Sequence, residues 1–167
     1  AYFQDVVTRC LTSLREQHDL VIIEGAGSPA EVNLKDRDVA NMYVAKLADA
    51  PVLLVGDIDK GGVFASFVGT MAILDPDERD RVAAFVVNKF RGDVALLQPG
   101  LDWLQENTGK PTLGVLPYVH GLKIADEDSV SLENRRGRYR PGYDQLDIAV
   151  VRLPRISNYD DVLALEH

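Results

Sequence analysis

The chain has 167 residues, 46% of them hydrophobic and 26% charged, with a formal net charge of −8. That length holds one core of ordinary size, and no apolar run approaches the ~18 residues that would span a bilayer. The acidic balance gives no electrostatic reason to bind nucleic acid, and the single Cys10 cannot form an internal disulfide, so a small-molecule ligand and a reducing, cytoplasmic setting are expected.

Phe3, Val6, Val7, Cys10, Leu11 and Leu14 recur at three- and four-residue spacing, which predicts an amphipathic helix with Cys10 on its buried face, ending in the polar residues Glu16 to Asp19. Leu20-Val21-Ile22-Ile23 is a short continuous apolar run, as in a strand covered on both faces. Val39, Met42, Tyr43, Lys46 and Leu47 predict a second helical face, and Pro51 introduces a strand at 52–55. Val63, Phe64, Phe67, Val68 and Met71 line a third helix that stops before Asp75-Pro76, and 83–87 is the next strand. A fourth helix is expected to start near Pro99, bury Leu101 and Leu104, and end at Gly109 before Pro111, with a last strand at 112–116.

Helices alternating with buried strands argue for right-handed crossover units, hence a parallel α/β sheet with helices on both faces. Ligands of such sheets sit beyond the carboxyl ends of the strands. Three polar or glycine-rich tetrapeptides follow strands here: Glu24-Gly25-Ala26-Gly27, Gly56-Asp57-Ile58-Asp59 and Asn88-Lys89-Phe90-Arg91. They are expected to line one rim.

After Pro117 the pattern decays. Residues 123–145 are charged, with arginines around Gly137, and read as a linker; residues 146–153 read as the first strand of a following domain. Ala1 has no initiator Met, and Leu165-Glu166-His167 reads like the start of an appended His tag. The chain is therefore expected to be an excerpt of a longer protein, with an open parallel edge that favours self-association into a homo-oligomer.

Glu24, held between an apolar run and Gly25-Ala26-Gly27, offers an oxygen ligand to a hard cation such as magnesium beside backbone that can approach a ligand closely. The same residues also suit a glycine turn with a solvated acid. Gly56 and Gly61 have the spacing of a phosphate loop, but Gly62 and Val63 stand where that loop needs Lys and Ser or Thr. The segment is not a triphosphate cradle, although Lys60 and the helix start after it favour an anion. Asn88 carries both a donor and an acceptor, as purine recognition requires, and also suits a loop start. His18, His120 and His167 have no companion at metal-ligand spacing.

Taken in order, Glu24-Gly25-Ala26-Gly27-Ser28-Pro29-Ala30-Glu31-Val32-Asn33-Leu34, Asp38-Val39-Ala40-Asn41-Met42, Val55-Gly56-Asp57-Ile58-Asp59-Lys60-Gly61-Gly62-Val63-Phe64, Val87-Asn88-Lys89-Phe90-Arg91-Gly92-Asp93 and Gly114-Val115-Leu116-Pro117-Tyr118 resemble the cobyric acid synthase family. Arg152-Leu153-Pro154-Arg155-Ile156-Ser157-Asn158 is similar to that family's approach to its glutamine amidotransferase domain. The resemblance implies a P-loop NTPase-like, dethiobiotin-synthetase-like domain, incomplete at its N-terminus, over 1–122. It places a linker at 123–145, the start of a glutamine amidotransferase domain at 146–164, and a tag remnant at 165–167. It implies ATP-dependent amidation of four carboxylates of a corrinoid with glutamine-derived ammonia.

The site implied by the resemblance has Asp57, Asp59 and Lys60 facing the phosphoryl-transfer centre or the corrinoid carboxylate, and Glu24 on Mg2+. Gly25, Gly27, Gly61, Gly62, Asn88, Lys89 and Pro117 would lie on ATP, with Asn88 and Pro117 at the base. The phosphate loop and the glutaminase Cys and His do not occur in this sequence, so the chain alone is expected to be inactive. The rival readings are the sister synthase that amidates the a and c carboxylates and, in another class, a partitioning-type ATPase.

Overall fold

A computed structural model describes residues 2–120. The expected linker at 123–145, its arginines, the strand at 146–153, the amidotransferase start and the tag remnant lie outside the described residues.

Three parallel strands, in the order β1-β2-β3, carry the fold. β1 is Val52–Asp57, β2 is Val82–Phe90 and β3 is Thr112–Pro117. Helices α3 (Val63–Ile73) and α5 (Val94–Thr108) make the β1-to-β2 and β2-to-β3 crossovers, with the short α4 (Pro76–Arg81) inserted in the first. This is the expected parallel α/β class. Among the described residues, no helix is long and apolar enough to cross a membrane.

The core lies where α3 and α5 meet the sheet: Val63, Phe67 and Met71 pack with Phe85 and Val87 of β2 and with Leu101 and Leu104 of α5. The Phe67 and Phe85 rings stand 4.7 Å apart. Burying side chains of this size contributes about 1.5–3 kcal/mol each. Gly56 is required by close approach, because a Cβ there would lie 2.6 Å from both Phe67 Cζ and Val63 Cγ2. Leu53, Val55 and Leu113 remain 52%, 58% and 66% exposed. These residues alternate with the core-facing positions of their strands, so the opposite sheet face is open among the described residues.

Several elements differ from expectation. Residues 20–23 form no strand, and Leu20 and Ile22 are exposed. The run joins no ladder, and among the described residues β1 pairs with β2 alone. Helix α1 (Tyr2–Gln17) forms, yet Leu11 is its one buried residue and Cys10 is exposed. It packs against the two-turn α2 (Met42–Ala48), where Arg15 Nη1 donates to the Ala48 carbonyl at 3.2 Å.

α2 itself buries Met42, Val44 and Ala45, while Leu47 is exposed and Val39 precedes the helix. α5 begins at Val94 rather than near Pro99, because Asp93 caps it by accepting the Ala95 N–H at 2.8 Å. Pro99 then sits inside the helix.

Candidate functional site

The ends of the strands draw three loops together. Asp57, the last residue of β1, is in register with Asn88, and Phe90 of β2 with Pro117 of β3. Ile58 N–H donates to the Asn88 carbonyl at 3.1 Å and Tyr118 N–H to the Phe90 carbonyl at 2.8 Å, so backbone bonds continue the sheet just past its strands.

On this scaffold sit two ion pairs with the same sequence separation of 32. Lys89 Nζ is 2.8 Å from Asp57 Oδ2, and Arg91 Nε is 2.8 Å from Asp59 Oδ1. Lys89 has φ +61, a left-handed conformation that costs a non-glycine residue of order 1–2 kcal/mol. Its N–H donates to Asn88 Oδ1 at 2.9 Å, and its side chain is tied to Asp57.

Asp59 N–H donates to Asp57 Oδ1 at 3.0 Å, which turns the chain into the loop before α3. The Arg91 guanidinium lies over the Tyr118 ring, 3.4 Å from its centroid. The hydrogen bond from Lys89 holds the Asp57 carboxyl below the usual carboxylate range, with Lys60 adding a smaller attraction. Lys89 is raised by Asp57, and Arg91 by Asp59.

Gly61 and Gly62 have φ +78 and +69, and no atom lies within 4 Å of where their Cβ atoms would be. The start of α3 therefore faces open space, with exposed backbone on its approach. Asp57, Asp59, Lys60, Gly61, Gly62, Asn88, Lys89 and Pro117 thus occupy the carboxyl ends of the strands or the loop that continues β1.

The Glu24 to Gly27 segment is held elsewhere in the hydrogen-bond network. Asn41 Nδ2 donates to the Ala26 carbonyl at 2.8 Å, and its side chain abuts Gly25 so closely that no Cβ fits there. Gly27, at φ +67, faces Glu31. Asp38 braces the turn by accepting the N–H groups of Ala40, Asn41 and Tyr43; these outweigh its burial and lower its pKa. Among the described residues no hydrogen bond or ion pair joins Glu24, Gly25 or Gly27 to the Asp57 cluster. Register and hydrogen bonds thus join two of the three expected segments, those that follow β1 and β2.

Arg91 was expected on the rim only as the last residue of its tetrapeptide, with no role, and Tyr118 was not expected in the site. The signal was present for Arg91: Asp-x-Asp after one apolar strand and Lys-x-Arg after the next put two acids and two cations on matched i, i+2 positions. Nothing in the sequence paired Tyr118 with it.

Among the described residues no group of three or more His, Cys, Asp or Glu side chains gathers as a metal cage. Magnesium needs none, since it binds one or two carboxylates and takes waters and substrate phosphates as its other ligands. Glu24, an exposed carboxylate, fits that requirement in donor chemistry.

The model of the AAA domain family matches residues 3–125. The chain is 71% identical over 164 residues to the cobyric acid synthase of Sorangium cellulosum, covering 98% of this chain and 32% of that protein. The synthase of Desulforamulus reducens is 58% identical, with coverages of 94% and 30%, and that of Geobacillus kaustophilus 54%, with 94% and 31%. The chain spans about a third of the length of these curated relatives. No solved structure matches it.

Proposed function

Because the chain belongs to the AAA domain family and its likeness to cobyric acid synthases runs over nearly its whole length, we propose that it is the nucleotide-facing part of a cytoplasmic, glutamine-dependent amide synthase of cobalamin biosynthesis. The longer protein would amidate the b, d, e and g carboxylates of adenosylcobyrinic acid a,c-diamide, using ATP and ammonia released by a glutaminase domain. The observation that carries this reading is the gathering of Asp57, Asp59, Asn88 and Lys89 at adjoining strand ends, where α/β sheets bind their ligands.

The chemistry explains the residue types. A carboxylate is a poor electrophile, so one of its oxygens first attacks the γ-phosphorus of ATP and ADP leaves. Ammonia then attacks the carbonyl carbon of the acyl phosphate, loses a proton, and expels phosphate that carries the former carboxylate oxygen. Charge builds on phosphoryl oxygens throughout, and positioned cations and N–H groups stabilise it.

Lys60 and Lys89 flank Asp57, and the open start of α3 adds unpaired N–H groups. Asn88 would read the purine edge and Pro117 would wall the base. Glu24 would hold magnesium, which neutralises phosphate charge when bound.

Product analysis of the longer protein with each corrinoid tests the reading. ATP- and glutamine-dependent conversion of the a,c-diamide to the hexaamide supports it. Amidation of a and c alone assigns the sister synthase, and ATP turnover with no amide from any corrinoid assigns a nucleotide-switched binding module.

A further inference from the structure

We infer that Arg91 is a positioning residue of the phosphoryl-transfer site, acting through the carboxylate of Asp59. This rests on the function proposed above. The Asp59 to Gly62 loop needs such a tether. Its other described hydrogen bonds are local: Asp59 N–H to Asp57 Oδ1, Gly61 N–H to the Ile58 carbonyl, and Ser66 N–H to the Gly62 carbonyl where α3 begins. Two successive glycines with open space around them end it, so its backbone has many accessible conformations.

Arg91 removes that freedom from outside the loop. Its Nε–H meets Asp59 while its Cζ lies over the Tyr118 ring, so the carboxylate is referred to the ends of β2 and β3 at once. Asp59 precedes Lys60, and fixing the acid fixes where the lysine leaves the loop. A lysine at 91 could keep the charge, but a single ammonium cannot reach Asp59 and cover the Tyr118 ring as the broad guanidinium does. Lys89 secures the base of the same loop through Asp57, which leaves Arg91 to hold its tip.

Arg91→Met and Arg91→Lys in the longer synthase test this. Arg91→Met is expected to lower kcat roughly 10- to 100-fold, as misplacement of a reacting group does, with KM for ATP within about twofold of wild type. Arg91→Lys is expected to recover only part of that loss, leaving kcat roughly three- to tenfold below wild type. Equal kcat in Arg91→Met and wild type, or a rise in KM that accounts for the whole loss, overturns the inference. If Arg91→Met does not fold, Arg91→Lys decides alone: kcat lowered at unchanged KM supports it, and wild-type kcat overturns it.

Absence of amidation by the wild type would count against the function and not against Arg91. The link is then read by NMR on the 167-residue chain, where Asp59→Asn should shift the Arg91 Nε–H resonance; no shift overturns it.

Discussion

Lys89 Nζ lies 2.8 Å from Asp57 Oδ2, a bond that closes the carboxyl ends of β1 and β2 across a register in which Asp57 faces Asn88. Lys89 reaches it from a left-handed backbone conformation. The ion pair offsets part of the backbone cost of that conformation.

The pair makes a pH prediction. Asp57 is depressed, so its contribution to stability is present above the unfolded carboxylate value of about 3.9 and is lost as pH falls through its folded value. Lys89 is raised, so its contribution is present below about 10.4 and is lost as pH rises through its folded value. With Lys89 half exposed, the pair contributes about 1 kcal/mol or less. Lys89→Met should return the Asp57 carboxyl toward its ordinary titration, followed by NMR of the carboxyl carbon. An unmoved midpoint would show that Lys89 does not set it.

Glu78 gathers the other polar hub. Buried to 6% exposure, it accepts the Asp75 N–H at 3.0 Å and pairs with Lys46 at 2.9 Å and Lys35 at 3.3 Å. Burial pushes its pKa up, but Lys46, the Asp75 N–H and Lys35 outweigh it and the net shift is down. Glu78→Ala removes a helix cap and a buried acceptor, and should cost about 2 kcal/mol in urea unfolding. A loss under a few tenths would place the hub outside the folded core.

Gly56→Ala should destabilise by about 1–3 kcal/mol, since the added methyl would sit 2.6 Å from Phe67 and Val63 and force α3 away from β1. Chemical denaturation reads this. Because Asp57 is the next residue, nucleotide binding by the longer protein should weaken along with stability.

The 167-residue chain has no Lys-Ser or Lys-Thr phosphate loop, and on its own should show no ATP turnover above background. Release of phosphate that depends on the chain and is lost in Asp57→Asn would contradict this.

The sequence was informative where a residue's neighbours lie close along the chain or across a buried strand. Apolar runs located the three strands of the described residues, though a fourth run at 20–23 formed none, and the glycine at 109 stopped α5 as expected, with φ +69 and its N–H on Gln105. Misreadings arose where tertiary partners decide. The apolar periodicity of α1 said which face is apolar but not what covers it, and Cys10 stayed outside.

Asp93 was a better start signal for α5 than Pro99, because a side-chain cap outweighs a proline that can also sit within a first turn or two. α4 was missed although Asp75-Pro76-Asp77-Glu78 carries an N-cap, a proline at the first position and a glutamate at the third. Within the site, Asp57 and Asn88 were legible as strand ends, while the Arg91 stack on Tyr118 needed the β2-to-β3 register.

Oxygen transfer tests the central claim most directly. The longer synthase is given the corrinoid diamide with its free carboxylates labelled with oxygen-18, together with ATP, magnesium and glutamine, and the released phosphate is analysed by mass. The account predicts one labelled oxygen in phosphate for every amide formed, and loss of both label transfer and amide in Asp57→Asn. Amide formed with unlabelled phosphate, or transfer undiminished in Asp57→Asn, would contradict it.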